Sequence, residues 1–384
     1  MKIVHVIYSM EMGGAESLVA QLSRVQRAQG HDVSIFAQTN VGALGEVLQT
    51  EGFQIDVLGT GNPVRTLPTY LRAFRRLRPD VVHCHNAAPT LQAALAARLA
   101  GATSIVSTRH SLVAPPYNLK EERLYGAVSR LCDHVVGICD ATCANLRRAP
   151  WSDPGRISRV YNGIVPLAPA PVADRPPKSN FTLLFVGRLA PVKNLSTLIR
   201  ATALAARELP DLHLWIVGDG HERQSLEQLA REVAPPDTVT FWGEQHNVAR
   251  FFSAADVFTM SSTSEGLPVS LLQAMSIGLP ALVTDVGGMA EVVGNTGSGL
   301  RTPVGDPDQM SRQILRLARD PQLRQTLGSA GKSAFAQHFT LGQMADTYMR
   351  LYQSRAPHPA AHTAEPHAPE PRTPKSKEDL AISR

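Results

Sequence analysis

Residues 261–288, SSTSEGLPVSLLQAMSIGLPALVTDVGG, decide how the rest of the chain is read. They set one carboxylate, Glu265, in a Ser/Thr/Gly-rich loop that ends at Pro268. An apolar-patterned segment, 269–275, follows directly. Proline is favoured at the first helical position because its missing N–H would be unpaired there anyway. A helix is therefore expected to start at Pro268, with the free amides of Gly266 to Ser270 at its mouth. Such a terminus attracts anions, through unpaired N–H groups and the positive end of the helix dipole. The apolar run 280–284 then reads as a strand leading into a second glycine turn, Val286-Gly287-Gly288. Two backbone-rich cradles flank one acidic side chain, a layout that suits a phosphorylated sugar.

Working outward, strand-like and helix-like segments alternate from the first residues, which predicts a parallel α/β sheet. Strands are expected at 2–9, 32–37, 55–58, 81–85, 104–108, 134–138 and 157–161. A Gly-Gly turn at Gly13 and Gly14 follows the first, then an amphipathic helix over about 15–29. Residues 166–178 are rich in Pro and Ala, show little periodicity, and read as a linker. A second series follows, with strands at 181–186, 213–217, 239–242, 257–260 and 281–284. Its helices are expected at 195–206, 222–233, 307–319, 323–337 and 341–355. From 356 onward the chain is rich in Pro, Ala, His and charge, with almost no large apolar residues, and is expected to be disordered. The division is thus 1–165, a linker 166–178, 179–338, a final helix 339–355 and a tail 356–384. Two Rossmann-like halves would face one cleft, with ligand at the carboxyl ends of the strands.

The 384 residues are enough for two domains, and 43% hydrophobic with 18% charged residues is a globular balance. No apolar run approaches the ~20 residues a bilayer span needs. Four cysteines without paired spacing point to a reducing compartment, and Cys132, Cys139 and Cys143 read as buried thiols, not metal ligands. The net charge of +5 is uneven: Arg65, Arg72, Arg75, Arg76 and Arg78 cluster early, and Arg147, Arg148, Arg156 and Arg159 later. A solvated helix face explains such clusters, as would an anionic lipid surface or polyanionic acceptor. Nucleic acid is not expected as a partner, although Tyr70, Phe74 and Trp151 fall among these arginines.

The pattern E-G-L-P-x-x-L-L-x-A-M-x-x-G-x-P with T-x-x-G-G resembles the retaining glycosyltransferases of family 4, which have the GT-B fold. The likeness extends over about residues 1–353. In that family a Glu, seven intervening residues and a second Glu span the donor site. Glu265 matches the first, which contacts the transferred sugar. The second, which holds the nucleotide ribose, is Gln273 here, an amide that bonds a hydroxyl without charge assistance. Gly187, Arg188 and Lys193 in VGRLAPVKN are similar to the family's G-R-L-x-x-x-K, whose cations grip the diphosphate. Gly218 lies in a V-G-D-G turn and Gly243 follows the next strand, near which relatives touch the base. Gly266 and Leu267 complete the donor set by resemblance. The M-G-G-A-E stretch resembles the family's first loop, where Gly13 and Gly14 let donor phosphate or acceptor approach the backbone. His110, at a strand's carboxyl end, is implied to sit near the donor sugar. His85 is a weaker cleft candidate, Glu291 a secondary acid, and Asn162-Gly163 matches the N-G pair at the domain junction. The resemblance also implies that 341–355 crosses back onto the first half.

The expectation is a retaining transferase that moves a sugar from a nucleotide-diphosphate sugar to a lipid-linked or polysaccharide acceptor in cell-envelope assembly. It would use no metal or cofactor, and would be cytoplasmic, at the inner face of the membrane. Each residue also has a plainer reading: glycines as tight turns, cations as surface charge, Glu265 as a carboxylate favourable near a helix start. The rival functions are a nucleotide-sugar epimerase on the same scaffold, and a non-catalytic sugar-nucleotide-binding partner that the Gln273 departure would allow. An NAD oxidoreductase is disfavoured, since neither half opens with G-x-G-x-x-G.

Overall fold

The computed structural model describes residues 1–112, 119–178 and 181–354. The proposed tail 356–384 lies outside the described residues. The first half is built on seven parallel strands: β1 (Lys2–Ile7), β2 (Asp32–Ala37), β3 (Gln54–Val57), β4 (Val81–His85), β5 (Ser104–Arg109), β6 (His134–Gly137) and β7 (Ile157–Arg159). Their order across the sheet is β3-β2-β1-β4-β5-β6-β7. The second half has six: β8 (Phe181–Val186), β9 (Leu212–Val217), β10 (Val239–Gly243), β11 (Val257–Met260), β12 (Ala281–Thr284) and β13 (Gly299–Thr302). Their order is β10-β9-β8-β11-β12-β13, again all parallel.

Both sheets are covered by helices, so their central strands are apolar almost throughout. In β1 five of six residues are buried, and in β12 all four are. That is the continuous pattern of a strand packed on both faces, and it is why these segments were legible as strands. The winding reverses between β1 and β4 in the first sheet and between β8 and β11 in the second. The loops leaving those strands therefore splay apart and open a crevice at each sheet's carboxyl edge. This is the doubly wound, two-domain α/β architecture the sequence predicted.

Three expectations need correction. The helix after the Glu265 loop is Val269–Ile277; Pro268 is its cap, with φ −65° and ψ 133°, so its extended ψ keeps it outside the helix. The edge strand β13 was not anticipated. It pairs on one side only, and just one of its four residues is buried, so its sequence carries little strand signal. Residues 160–161, expected within the seventh strand, lie beyond β7.

The final helix, Leu341–Gln353, crosses back to the first domain. Its Tyr352 hydroxyl lies 2.7 Å from His83 Nδ1 on β4, and Tyr348 lies 3.1 Å from Thr108 on β5. The crossing is pinned at the junction by Ile164, which exchanges backbone hydrogen bonds with Phe339 (3.0 Å) and Leu341 (2.9 Å). Gly163 is needed there: a Cβ would come within 2.3 Å of the Thr340 carbonyl. The linker rests on the second domain, with Leu167 and Ala170 amides donating to Ser276 and Ser253.

Candidate active site

The loops after β8 and β11, at the switch point of the second sheet, bring Lys193 and Glu265 together. Lys193 Nζ is 2.5 Å from Glu265 Oε1, and both side chains are mostly buried, at 19% and 13% exposure. Ser262 Oγ donates to the same carboxylate oxygen at 2.8 Å. The two loops are laced into one unit. Ser261 Oγ donates to the carbonyls of Lys193 and Asn194, and the Thr263 amide donates to Val192. Asn194 turns the chain in the left-handed region (φ 47°) into the helix Leu195–Ala206. This fixes Lys193 at the end of a short 3-10 turn, aimed at Glu265 and not at solvent.

Arg188 is exposed at the start of the same loop and acts electrostatically on Glu16, in the first turn of the helix Gly14–Ala28 across the cleft. Burial pushes the Glu16 carboxyl up, and the Arg188 charge partly opposes that. Gly14 is exposed and faces Val269 Cγ2, 3.8 Å from where its Cβ would stand. The N-termini of two helices, Gly14–Ala28 and Val269–Ile277, thus lie close together, and their positive ends favour negative charge between them. Gln273 lies half-buried on the second of these helices.

Close approach of the halves depends on glycine. At Gly266 a Cβ would meet the His110 carbonyl at 2.9 Å, and at Gly288 the Gly266 carbonyl at 2.5 Å and Cys139 Cβ at 2.7 Å. Gly287 adopts φ +54° and would press on the Glu265 carbonyl. The Leu267 carbonyl accepts from Asn162 Nδ2 at 2.8 Å, so the junction asparagine holds the Glu265 loop. Behind the site, Gly218 would clash with the Gly187 carbonyl, and its amide donates to the Gly243 carbonyl at 2.8 Å. Backbone packing therefore accounts for glycine at Gly218, and Gly187, Gly218 and Gly243 form one layered turn under the crevice.

His110 reaches the same region from the end of β5. It is half-buried, its amide donates to Asn86 Oδ1 (2.9 Å), and its Nε2 sits 3.0 Å from His85 Nδ1. Burial lowers its pKa to about 4, so it is neutral near pH 7. Its Nδ1 is buried with no hydrogen-bond partner. His85, expected at the cleft, is instead buried beneath His110 at 2% exposure.

Glu291, read as a secondary acid, is committed elsewhere. Its Oε2 accepts from the amides of Asp140 (2.8 Å) and Ala141 (3.4 Å), at the N-terminus of the helix Asp140–Arg148, and its Oε1 accepts from Tyr161 at 2.6 Å. It is an interdomain cap. Two of the later arginines are likewise spent internally: Arg156 on Asp153 and the Cys132 carbonyl, Arg159 on Asp140.

The four cysteines are free and buried, and burial raises every thiol, Cys132 to about 12 and Cys143 to about 11. On ligand type alone, the group among the described residues able to hold a metal is His5, His83 and His85, all within 4.8 Å. This grouping was not anticipated, because His5 lies on β1 and His83 and His85 on β4, which only the sheet makes neighbours. All six of their ring nitrogens are already hydrogen-bonded, which leaves no ligand atom free.

Residues 12–166 match the family described as Glycosyltransferase Family 4, and residues 171–334 match Glycosyl transferases group 1. The chain belongs to family 4 of the glycosyltransferases. Among its relatives is the lipopolysaccharide core biosynthesis glycosyltransferase LpsD of Rhizobium meliloti (strain 1021), 30% identical over 57% of this chain and 63% of that protein. LpsE of the same organism, with the same description, is 32% identical over 45% of this chain and 50% of its own length. The matches thus span between half and two thirds of these two relatives. The crystal structure of Anabaena Alr3699/HepE in complex with UDP-glucose superposes with a TM-score of 0.81 at 19% identity, covering 92% of this chain and 99% of that one. At that identity the likeness establishes the GT-B fold. Among the described residues no helix is long and apolar enough to cross a membrane.

Proposed function

We propose that this family 4 glycosyltransferase is a retaining enzyme that moves a sugar from a nucleotide-diphosphate sugar to a lipid-linked or polysaccharide acceptor in cell-envelope polysaccharide assembly. The observation that carries the reading is the Lys193–Glu265 pair at the switch point of the second sheet, just before the helix Val269–Ile277, with Arg188 of the same domain acting on Glu16 of the other.

In this reading the bond between the anomeric carbon and the β-phosphate oxygen breaks, and its electron pair goes to the diphosphate. Arg188, Lys193 and the amides at Gly13, Gly14, Gly266 and Leu267 stabilise that charge, where preorganised donors act most strongly. Glu265 binds the sugar hydroxyls and stabilises positive charge at the ring. Its carboxylate is already engaged by Lys193 and Ser262, which suits a fixed charge better than a nucleophile. The acceptor hydroxyl attacks from the face the phosphate leaves, and its proton passes to the departing phosphate oxygen. Gln273 bonds the ribose, and no metal is needed to balance charge.

The name of the two relatives in lipopolysaccharide core biosynthesis supports the acceptor class, and UDP-glucose bound to HepE supports the donor class. Exposed arginines on the helix Pro63–Leu77 suit an anionic membrane surface, and buried free thiols suit a cytoplasmic setting. The test is to incubate the purified protein with a panel of nucleotide sugars and cell-envelope lipid extract, and follow nucleoside diphosphate. Acceptor-dependent release with retained anomeric configuration by NMR supports the proposal. Sugar conversion without release would identify an epimerase, and binding with neither would identify a non-catalytic partner.

A further inference from the structure

A chain of hydrogen bonds runs inward from His110 through the core of the first domain. His110 Nε2 meets His85 Nδ1 at 3.0 Å, and His85 Nε2 meets His5 Nδ1 at 3.0 Å. His5 Nε2 ends the series on Gln26 Oε1 at 2.8 Å. His5, His85 and Gln26 are buried, at 0%, 2% and 0% exposure. The Gln26 amide nitrogen donates to the Tyr352 hydroxyl at 3.3 Å, on the crossing helix. Tyr352 meets His83 Nδ1 at 2.7 Å, and His83 Nε2 meets Thr108 at 2.8 Å.

Protons in this network can be assigned by elimination. Burial keeps every ring neutral near pH 7, so each carries one N–H. An amide oxygen only accepts, so His5 must donate from Nε2 and accept at Nδ1. His85 then donates from Nε2 and accepts at Nδ1, and His110 donates from Nε2. Its Nδ1 is left as a bare lone pair, and it is the ring nitrogen found buried without a partner. The opposite polarity would strand an N–H at that buried position, and unpaired buried N–H groups are rarer than unfilled acceptors.

We propose that Gln26, His5 and His85 are positioning residues that hold His110 as its Nε2–H tautomer, with Nδ1 kept as a bare acceptor. The role of His110 at a sugar rests on the function proposed above; the tautomer does not. A bare lone pair repels a nearby phosphate oxygen where an N–H would attract it, so the relay sets the polarity His110 presents toward the donor. The Tyr352 branch fixes the Gln26 amide, and so links the docking of the crossing helix to the state of His110.

The test reads the tautomer directly, by long-range proton–nitrogen NMR of histidine-labelled full-length protein near pH 7. The expected spectrum shows His110 protonated at Nε2 and bare at Nδ1. In Gln26→Leu, which removes the anchoring acceptor, His110 should become a mixture of tautomers. Transfer should fall roughly 3–10-fold in kcat, the range for one neutral hydrogen bond, with little change in donor KM. The wild-type spectrum tests the tautomer by itself if Gln26→Leu folds poorly. An Nδ1–H signal in the wild type, or an unchanged His110 signal in Gln26→Leu, would overturn the proposal. So would one equivalent of copurifying transition metal lost in His5→Ala. A protein that shows the expected tautomer but transfers no sugar would count against the function and leave the relay standing.

Discussion

Lys193 and Glu265, 72 residues apart, form a 2.5 Å ion pair at the switch point of the second sheet, with both side chains mostly shielded from water. Shielding separates this pair from the surface ion pairs of the same molecule, such as Arg319–Glu208, where both partners are more than half exposed. A partly buried charge loses more when its partner is removed than an exposed one does. Replacing Lys193 with Met and Glu265 with Gln, singly and together, should give non-additive losses in kcat/KM, with a coupling of roughly 0.5–3 kcal/mol. Additive losses in transfer assays would mean that the two side chains act on separate parts of the donor.

Glu265→Ala alone should lower kcat by about 10²–10³-fold, the cost of losing one preorganised group at a developing charge. Its unfolding midpoint in urea should move little by comparison. Wild-type turnover in this variant would remove Glu265 from the site.

Gln273 offers a gain-of-charge test. If its amide bonds a ribose hydroxyl, Gln273→Glu supplies a charged acceptor of about twice the strength and should be tolerated, with donor affinity equal or up to about tenfold tighter by calorimetry. A collapse of nucleotide binding would exclude the ribose contact.

The interdomain cap predicts a stability effect without a chemical one. Glu291→Ala strips acceptors from two helix-terminal amides and from Tyr161, and should cost about 1–2 kcal/mol in denaturant unfolding. Because Glu291 also ties the two domains, the radius of gyration in solution should rise, while kcat at saturating donor should change less than in Glu265→Ala.

The neutral histidines predict acid sensitivity. His5 and His110 have folded pKa values of about 4, below the unfolded value of 6.5. Their contribution is therefore complete above pH 6.5 and is lost as pH falls toward 4. In that window each should steepen the decline by up to about 1.4 kcal/mol per pH unit, since the unfolded chain binds a proton the folded one does not. Denaturant unfolding between pH 7 and pH 4 should show this slope, and His5→Gln should flatten it. An unchanged slope in His5→Gln would mean that His5 is charged in the fold.

The sequence by itself determined the parts of this protein that are local. Runs such as FTLLFV at β8 are buried on both faces, and that burial is written in each residue. Glycine turns, the Glu265-to-Gln273 spacing and the G-R-L-x-x-x-K loop could be read the same way, because each lies within a dozen residues. The weak edge strand β13 could not, since a strand paired on one side needs little pattern of its own. Only the tertiary structure decided which distant groups meet. It set Lys193 on Glu265, turned Glu291 from an acid into a cap, and sank His85 beneath His110. Gln26 reaches Tyr352 across 326 residues because the final helix crosses back and packs beside the helix Gly14–Ala28. Contacts between strand ends follow from the winding of each sheet, and no window of sequence contains it.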